Sequence, residues 1–477
     1  MKHYILLLFT LIIYSTTSAQ NEVDILRYSQ YQIGGTARSI GFGGALGTLG
    51  ADYTSVSINP AAIGLYRKSV FSITPTVYFA NVDAKMGDNT TSGFKDNFNL
   101  NSYGLVFVTQ TGSKNGWKAL QFGIGVNRTN NYNHTTNIVN DNKETSLMTD
   151  YIQQANGTHP DDLDPFSTDL AWYNWLIDTI QGGNNTYFSD IENGGVRQEL
   201  KKRNWGSVNE MALNFGGSYN DVFYIGAGIG FPFARFFEES EYSEFDAADT
   251  IPYFNSFIRD EYIETHGNGV NLKIGIIVRP TGFLRIGLAF QSPTWYNMND
   301  TWNTKITRYW DDGTNDKKSS PRGEYNYDLT TPMKLNGSFT LTIARFLLIS
   351  SDIDYVNYSS GRLSARDYDF FDENAKARDS YKSTVNLRAG AEIRLRPLSF
   401  RVGLQRYGNA YNDDINSSVK YIASAGLGYR TRDFFLDLAY SYSINSSDYY
   451  MYNPDLIDAA SLEIKENRIA LTAGYKF

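Results

Sequence analysis

From residue 69 to the C-terminus, apolar and polar positions alternate with a period of two. That is the spacing of strands whose two faces meet different surroundings. The last segment, 464–477, is the plainest case: Ile469, Leu471, Ala473, Tyr475 and Phe477 fall on one face, and Arg468, Ala470, Thr472, Gly474 and Lys476 on the other. Segment 381–396 repeats the design with more charge, setting Val385, Leu387, Ala389, Ala391, Ile393 and Leu395 against Thr384, Asn386, Arg388, Gly390, Glu392 and Arg394. The pattern predicts strands at 69–82, 99–111, 117–132, 204–219, 222–236, 262–279, 283–295, 333–344, 346–358, 381–396, 398–407, 419–429, 434–444 and 464–477. That is about fourteen, an even number, as bacterial single-chain barrels have.

Alternation alone suits a soluble sandwich as well as a transmembrane barrel, and the connections separate the two. Turns predicted at 112–116, 220–221, 280–282, 345, 397 and 430–433 are short, whereas 83–98, 133–203, 237–261, 296–332, 359–380, 408–418 and 445–463 are long and polar. Strict alternation of short and long connections predicts an all-β fold, a transmembrane antiparallel β-barrel. Its short turns and both termini would face the periplasm, and its long loops, 133–203 the largest, the outside of a Gram-negative outer membrane. The terminal Phe477, with Tyr475 two positions back, resembles the signal that outer-membrane proteins present to the barrel assembly machinery.

Composition agrees with this. The chain of 477 residues is 15% aromatic and holds 41 glycines, and its mean hydropathy is −0.38. It is polar on average yet rich in strand-favouring rings. Past the N-terminus no run approaches the roughly 20 apolar residues of a spanning helix. Lys2, an apolar core from Ile5 to Ile13, and small residues at Thr17 and Ala19 predict a signal peptide, 1–19, cleaved before Gln20. The chain has no cysteine, so neither a lipid anchor at the cleavage site nor a disulfide is expected. Of 43 Lys and Arg, loss of Lys2 leaves 42 against 51 acidic residues, a net charge of −9. That disfavours nucleic acid as a partner.

One stretch differs from the rest. Gly34, Gly35, Gly41, Gly43, Gly44, Gly47 and Gly50 crowd into a short span that ends on Asn59-Pro60-Ala61-Ala62. Such a segment can approach other backbone closely, and Pro60 fixes its own φ while restricting Asn59. It predicts a plug that fits inside or beneath the strands. Gly35-Thr36-Ala37-Arg38, Gly41-Phe42-Gly43-Gly44-Ala45 and Asn59-Pro60-Ala61-Ala62, followed by this number of strands, make the whole chain similar to the FadL/TodX (OmpP1) family of hydrophobic-compound transporters, a resemblance that implies an N-terminal hatch, 20–68, folded inside a barrel spanning 69–477. Bacteroidetes members are often labelled hemin receptors.

The resemblance implies passive, hatch-gated passage of hydrophobic molecules such as long-chain fatty acids, released sideways into outer-membrane lipid. The barrel would be a monomer. In the family the Asn-Pro-Ala segment lies against a kinked strand whose bend opens the wall. Asn59, Pro60 and Ala61 are therefore the expected gating residues. Gly123 and Gly125 are the candidate kink, or else simply make room for packed rings. The long loop 133–203 departs from the family. Within it Leu170, Tyr173, Leu176, Ile177 and Ile180 share one face at helical spacing, a candidate capture groove for a greasy ligand, or else a small loop core. Arg388, Glu392 and Arg394 are candidate lumen residues. His134 and His159, in expected loops, and His266, in the expected strand 262–279, are the histidines of the mature chain and show no ligand spacing, and no hydrolase or phosphate-loop motif occurs. Neither a metal, a cofactor nor an enzymatic activity is expected. A surface scaffold or secretion component on the same barrel is the alternative.

Overall fold

The computed structural model describes residues 21–477 apart from 33, 345 and 413–415. The expected signal peptide and the expected turn at Arg345 lie outside the described residues. Fourteen strands close into an antiparallel barrel. They are β1 Val70–Met86, β2 Asn89–Gln110, β3 Trp117–Asn131, β4 Val196–Tyr219, β5 Phe223–Phe245, β6 Ser256–Val278 and β7 Leu284–Gln291. The second half comprises β8 Lys334–Ile343, β9 Leu347–Asn357, β10 Ser383–Leu395, β11 Leu398–Tyr407, β12 Lys420–Arg430, β13 Phe434–Tyr449 and β14 Ala460–Lys476. Closure comes from β14 pairing with β1, from Val70↔Lys476 to Lys85↔Ser461. Every strand read from the sequence is present.

The two faces divide as alternation requires. On β14, Ile469, Leu471, Tyr475 and Phe477 are exposed while Ala470 and Thr472 are fully buried. On β10, Val385, Leu387, Ile393 and Leu395 point out, and Thr384, Asn386, Arg388 and Glu392 point in. The outer wall is thus an apolar band, and the inner wall is polar or small, as lipid outside and a wet lumen inside demand.

Several stretches expected to be loops are strand. The 83–98 segment is the tip of the β1–β2 hairpin, which stays paired to Met86↔Asn89. In 296–332, the line of β7 resumes as Trp295–Tyr309, pairs with β6, and returns through Asn315–Ser319 and Gly323–Thr330. The interruption at Ser292–Thr294 coincides with Pro293, and Pro332 sits opposite, where Thr331 N–H reaches the Thr294 carbonyl at 3.0 Å; neither proline has an N–H to give the ladder. His134 also lies in a strand rather than a loop, opening one that runs to Asn142, and His266 lies within the expected strand, on β6, with Nε2 2.6 Å from Glu264.

Beyond the band these extended strands carry a cap with its own core. Leu147, Met148 and Tyr151 of helix Leu147–Ala155 pack with Tyr242, Phe254, Phe257, Ile306, Met451 and Leu462.

Candidate functional site: the hatch and a break in the wall

Residues 21–66 fold as short helices inside the barrel: α1 Glu22–Ser29, α2 Ala37–Gly41, α3 Tyr53–Ile58 and a 3₁₀ turn Pro60–Leu65. Each begins with a side chain capping its first free N–H groups: Asn21, Thr36, Asp52 and Asn59. The glycine-rich part between them packs against the half of the lumen nearest the short turns, backbone to backbone. A Cβ placed on Gly403 of β11 would lie 2.1 Å from the Gly43 nitrogen, and one on Gly226 of β5 would lie 2.3 Å from Pro60. Glycine on the wall as well as on the hatch makes the contact possible.

Polar bonds fix this seat. Ala37 N–H donates to Thr472 (2.7 Å), Gly47 N–H to Asp352 (3.0 Å), Tyr53 Oη to the Ala212 carbonyl (2.9 Å), and Asn127 Nδ2 to Ser57 (2.6 Å). Arg38, 2% exposed, donates to the Gly50 carbonyl at 3.0 Å and pairs with Glu392 at 3.4 Å. Glu392 also takes Arg394 and Arg401, each at 2.5 Å, and Arg401 continues to Asp437 at 2.7 Å. Arg388 is held between Asp354 and Asp352. The three lumen candidates therefore line the inner wall, Glu392 and Arg388 fully buried and Arg394 38% exposed at its side chain. Glu392 joins the hatch residue Arg38 to Arg394 and Arg401 of the wall, and Arg388 pairs within the wall alone.

Asn59 does two jobs at once. Its Oδ1 accepts from Ala61 N–H at 3.0 Å, and its Nδ2 reaches the Ile276 and Leu288 carbonyls at 3.4 and 3.5 Å. Asn59, Pro60 and Ala61 are seated against β5, β6 and β7, where Gly226, Gly275 and Gly287 make room. Gly123 and Gly125 are elsewhere and are not a kink. Gly123 pairs regularly with Val106 and Asn214, and Gly125 with Gly104 and Ala212. A Cβ on Gly125 would stand 2.7 Å from Tyr53, and one on Gly123 3.0 Å from Ile63. These glycines accommodate hatch side chains.

The wall does break, a few residues further along β3. Its ladder with β2 runs from Gln110↔Ala119 to Ser102↔Asn127 and stops. On the other side β3 stays with β4, slips register between Arg128 and Asn130, and resumes as His134–Asn142 paired with the start of β4. The Asn89–Asn101 part of β2 pairs with β1, and among the described residues has no ladder partner on its β3 side. Side chains bridge the far end, where Asn137 Nδ2 donates to the Ser92 carbonyl at 2.9 Å and Thr91 to the Asn137 carbonyl. Phe94, Phe98 and Leu100 stand exposed along the β2 edge, Phe98 at 72%.

The hatch lies across this break from inside. Gln32 N–H donates to the Thr129 carbonyl at 2.9 Å, Asn101 Nδ2 to the Gly35 carbonyl at 2.6 Å, and Asn130 Nδ2 to the Arg27 and Gln30 carbonyls at 3.4 Å. Three cavities meet there, of about 300, 70 and 10 Å³, each lined by both Gln32 and Asn130. The smallest opens toward the break between Asn99, Asn101, Arg128 and Asn131. A hint was available in the sequence: Arg128-Thr129-Asn130-Asn131-Tyr132-Asn133 is asparagine-rich and poor in strand formers.

The five capture candidates do not form one exposed face. The helix is Thr168–Tyr173 only, and Trp175 at φ +58° turns the chain. Leu170, Leu176 and Ile177 are buried in the cap core, whereas Tyr173 and Ile180 are 53% and 45% exposed.

No family model matches the sequence, and no curated protein does. Solved structures do match. A FadL homologue of Pseudomonas aeruginosa aligns with a TM-score of 0.55 at 14% identity over 94% of this chain and 100% of its own. The toluene transporter TodX of Pseudomonas putida aligns at 0.54 and 10% identity, covering 94% and 99%. The resemblance to FadL/TodX barrels holds at the level of the fold.

Proposed function

We propose that this chain is an outer-membrane transporter that passes hydrophobic small molecules, fatty-acid-like in size, passively from the outer surface into the membrane. The wall break between β2 and β3 carries this reading. A hatch fills the turn half of the lumen through glycine contacts and buried ion pairs, so the described chain offers a ligand no straight aqueous path. It does offer a sideways one, through the cavities that meet at Gln32 and Asn130. Withdrawal of Gln30, Gln32 and Gly35 from the wall would join these cavities to lipid, with ligand binding in place of an energy source. The apolar band and the FadL and TodX neighbours support an outer-membrane location, with the short turns and termini periplasmic, the long loops outside, and assembly by the barrel machinery as a monomer. On the expected division into a hatch, 20–68, and a barrel, 69–477, the gate lies where the two meet.

The test is mass spectrometry of small molecules extracted from protein purified out of native outer membranes, alongside a deletion of 20–68. A co-purifying amphiphile or hydrocarbon, lost with the hatch, supports transport. The folded cap with its exposed Trp175 and Tyr253 favours the alternative of a surface scaffold. A stoichiometric partner protein and no small molecule would decide for it.

A further inference from the structure

The cavities that meet at the break are not lined as a hydrocarbon site would be. Ligand pockets for apolar molecules are walled mainly by apolar side chains with a few polar anchors. Here the residues that line more than one cavity are Gln30, Gln32, Asn130, Asn131, Ser418 and Lys420, mostly carboxamides, and apolar Val23, Leu26, Phe236 and Ile464 line the largest alone. The side chains of Gln30, Gln32 and Asn445 bond no other described residue, and buried Asn99 Oδ1 has no partner. Carboxamides both donate and accept, so a ligand that matches them must carry groups that do the same, such as hydroxyls.

Charge adds a second requirement. Arg128 and Arg468 both line the smallest cavity, and neither forms an ion pair among the described residues. Arg128 makes one long bond, 3.4 Å to Asn131 Oδ1, with its Nε buried and unpartnered, and Arg468 lies 5.9 Å from the Tyr78 ring. The acid on the same wall, Glu466, is taken by Lys420 at 2.5 Å and Ser443 at 2.7 Å. Two guanidiniums without a direct ion pair, beside free amides, suit an oxyanion.

Size adds a third requirement. The cavity that both arginines line is about 10 Å³, room for about one water at most. The cavity of about 300 Å³ that meets it at Gln32, Asn130 and Asn131 holds neither arginine, so a ligand that fills both needs bulk beyond a bare carboxylate.

Resting on the reading of this break as the exit, we infer that the transported molecule is an amphiphile with a bulky, hydroxyl-rich, anionic headgroup, which Arg128 and Arg468 hold at the wall break while the apolar tail meets the lipid beyond Phe94 and Phe98. A plain hydrocarbon or a simple fatty acid is the weaker fit.

The experiment is calorimetric titration of the full barrel in lipid nanodiscs with three probes of equal tail length: dodecyl glucuronide, dodecyl maltoside and laurate. We expect the glucuronide to bind at least tenfold tighter than either of the others. We expect Arg128→Gln with Arg468→Gln to bring it down to the level of the maltoside, in variants whose heat-modifiable gel mobility reports a folded barrel. If those variants do not fold, the wild-type ranking decides alone. Laurate binding as tightly as the glucuronide, or tighter, overturns the headgroup inference and leaves the transport reading standing. Maltoside equal to the glucuronide overturns the anionic requirement. No binding of any probe overturns both readings.

Discussion

The hatch meets the barrel in two ways, on two sides. Against β5, β6, β7, β10 and β11 it is seated backbone to backbone on paired glycines, next to intact ladders and a fully buried chain of arginines and carboxylates. Past Ser102 and Asn127, where β2 and β3 no longer pair, it crosses the wall through a handful of bonds from Gln32, Asn101 and Asn130, beside cavities. Close packing and buried charge tolerate no partial displacement, since any separation of the two surfaces opens a void or strands a charge without its partner. Single hydrogen bonds beside open space cost much less to exchange for water or ligand. Displacing the hatch therefore costs more on the first side than on the second.

The strongest way to break that contrast is to attack the seat. Glu392→Leu removes the acid shared by Arg38, Arg394 and Arg401 and leaves buried Arg38 without its ion pair, an effect of about 3–5 kcal/mol. Urea unfolding followed by heat-modifiable mobility is expected to show a large drop in midpoint. A midpoint within error of wild type would mean the network is not what holds the hatch.

Gly403→Val should come next. Its Cβ would stand 2.1 Å from Gly43, so wall or hatch must shift, at about 1–3 kcal/mol for overpacking. A Gly43 deletion that rescues the variant would sharpen the comparison by showing that backbone spacing is the cause.

Asn59→Ala is expected to cost about 1–2 kcal/mol, the usual loss for a capping side chain, here with two wall carbonyls also released. Asn59→Asp keeps the cap on Ala61 and loses the donor to the wall, so the two variants measured together separate the local role from the wall contact.

What the sequence reveals and what it hides have physical causes. Strands are legible wherever one face meets lipid and the other the lumen, because only then does the pattern alternate; hence Ile469 to Phe477 reads correctly. Past the apolar band both faces meet water or cap, so 83–98 and 296–332 look like loops although the hydrogen-bond ladder continues through them. The hatch is visible through its glycines, but their targets on the wall are not, since Gly226, Gly403 and Gly426 are strand residues with no local mark. Glycine suggests flexibility at Gly123 and Gly125, whereas the break arises from a choice of partner: β3 follows β4 past Arg128 and leaves β2. That choice is between segments far apart in the chain, and a local pattern carries only its faint sign in the asparagines.

The smallest effect on stability is also the one that discriminates best. Gln32 keeps its backbone bond to Thr129 in a Gln32→Ala variant, and its side chain bonds no other described residue, so unfolding should move by no more than about 0.5 kcal/mol. Its carboxamide nevertheless lines all three cavities at the break. If this side of the hatch is the gate, the variant should change ligand uptake into proteoliposomes several-fold while leaving urea unfolding where it was. Joining Gln32→Cys to Asn130→Cys with a short cleavable thiol crosslinker should arrest uptake until reduction, a clean test in a chain with no cysteine of its own. Uptake indifferent to both changes would return the gate to the seated side, and the break would be no more than a seam between two hairpins.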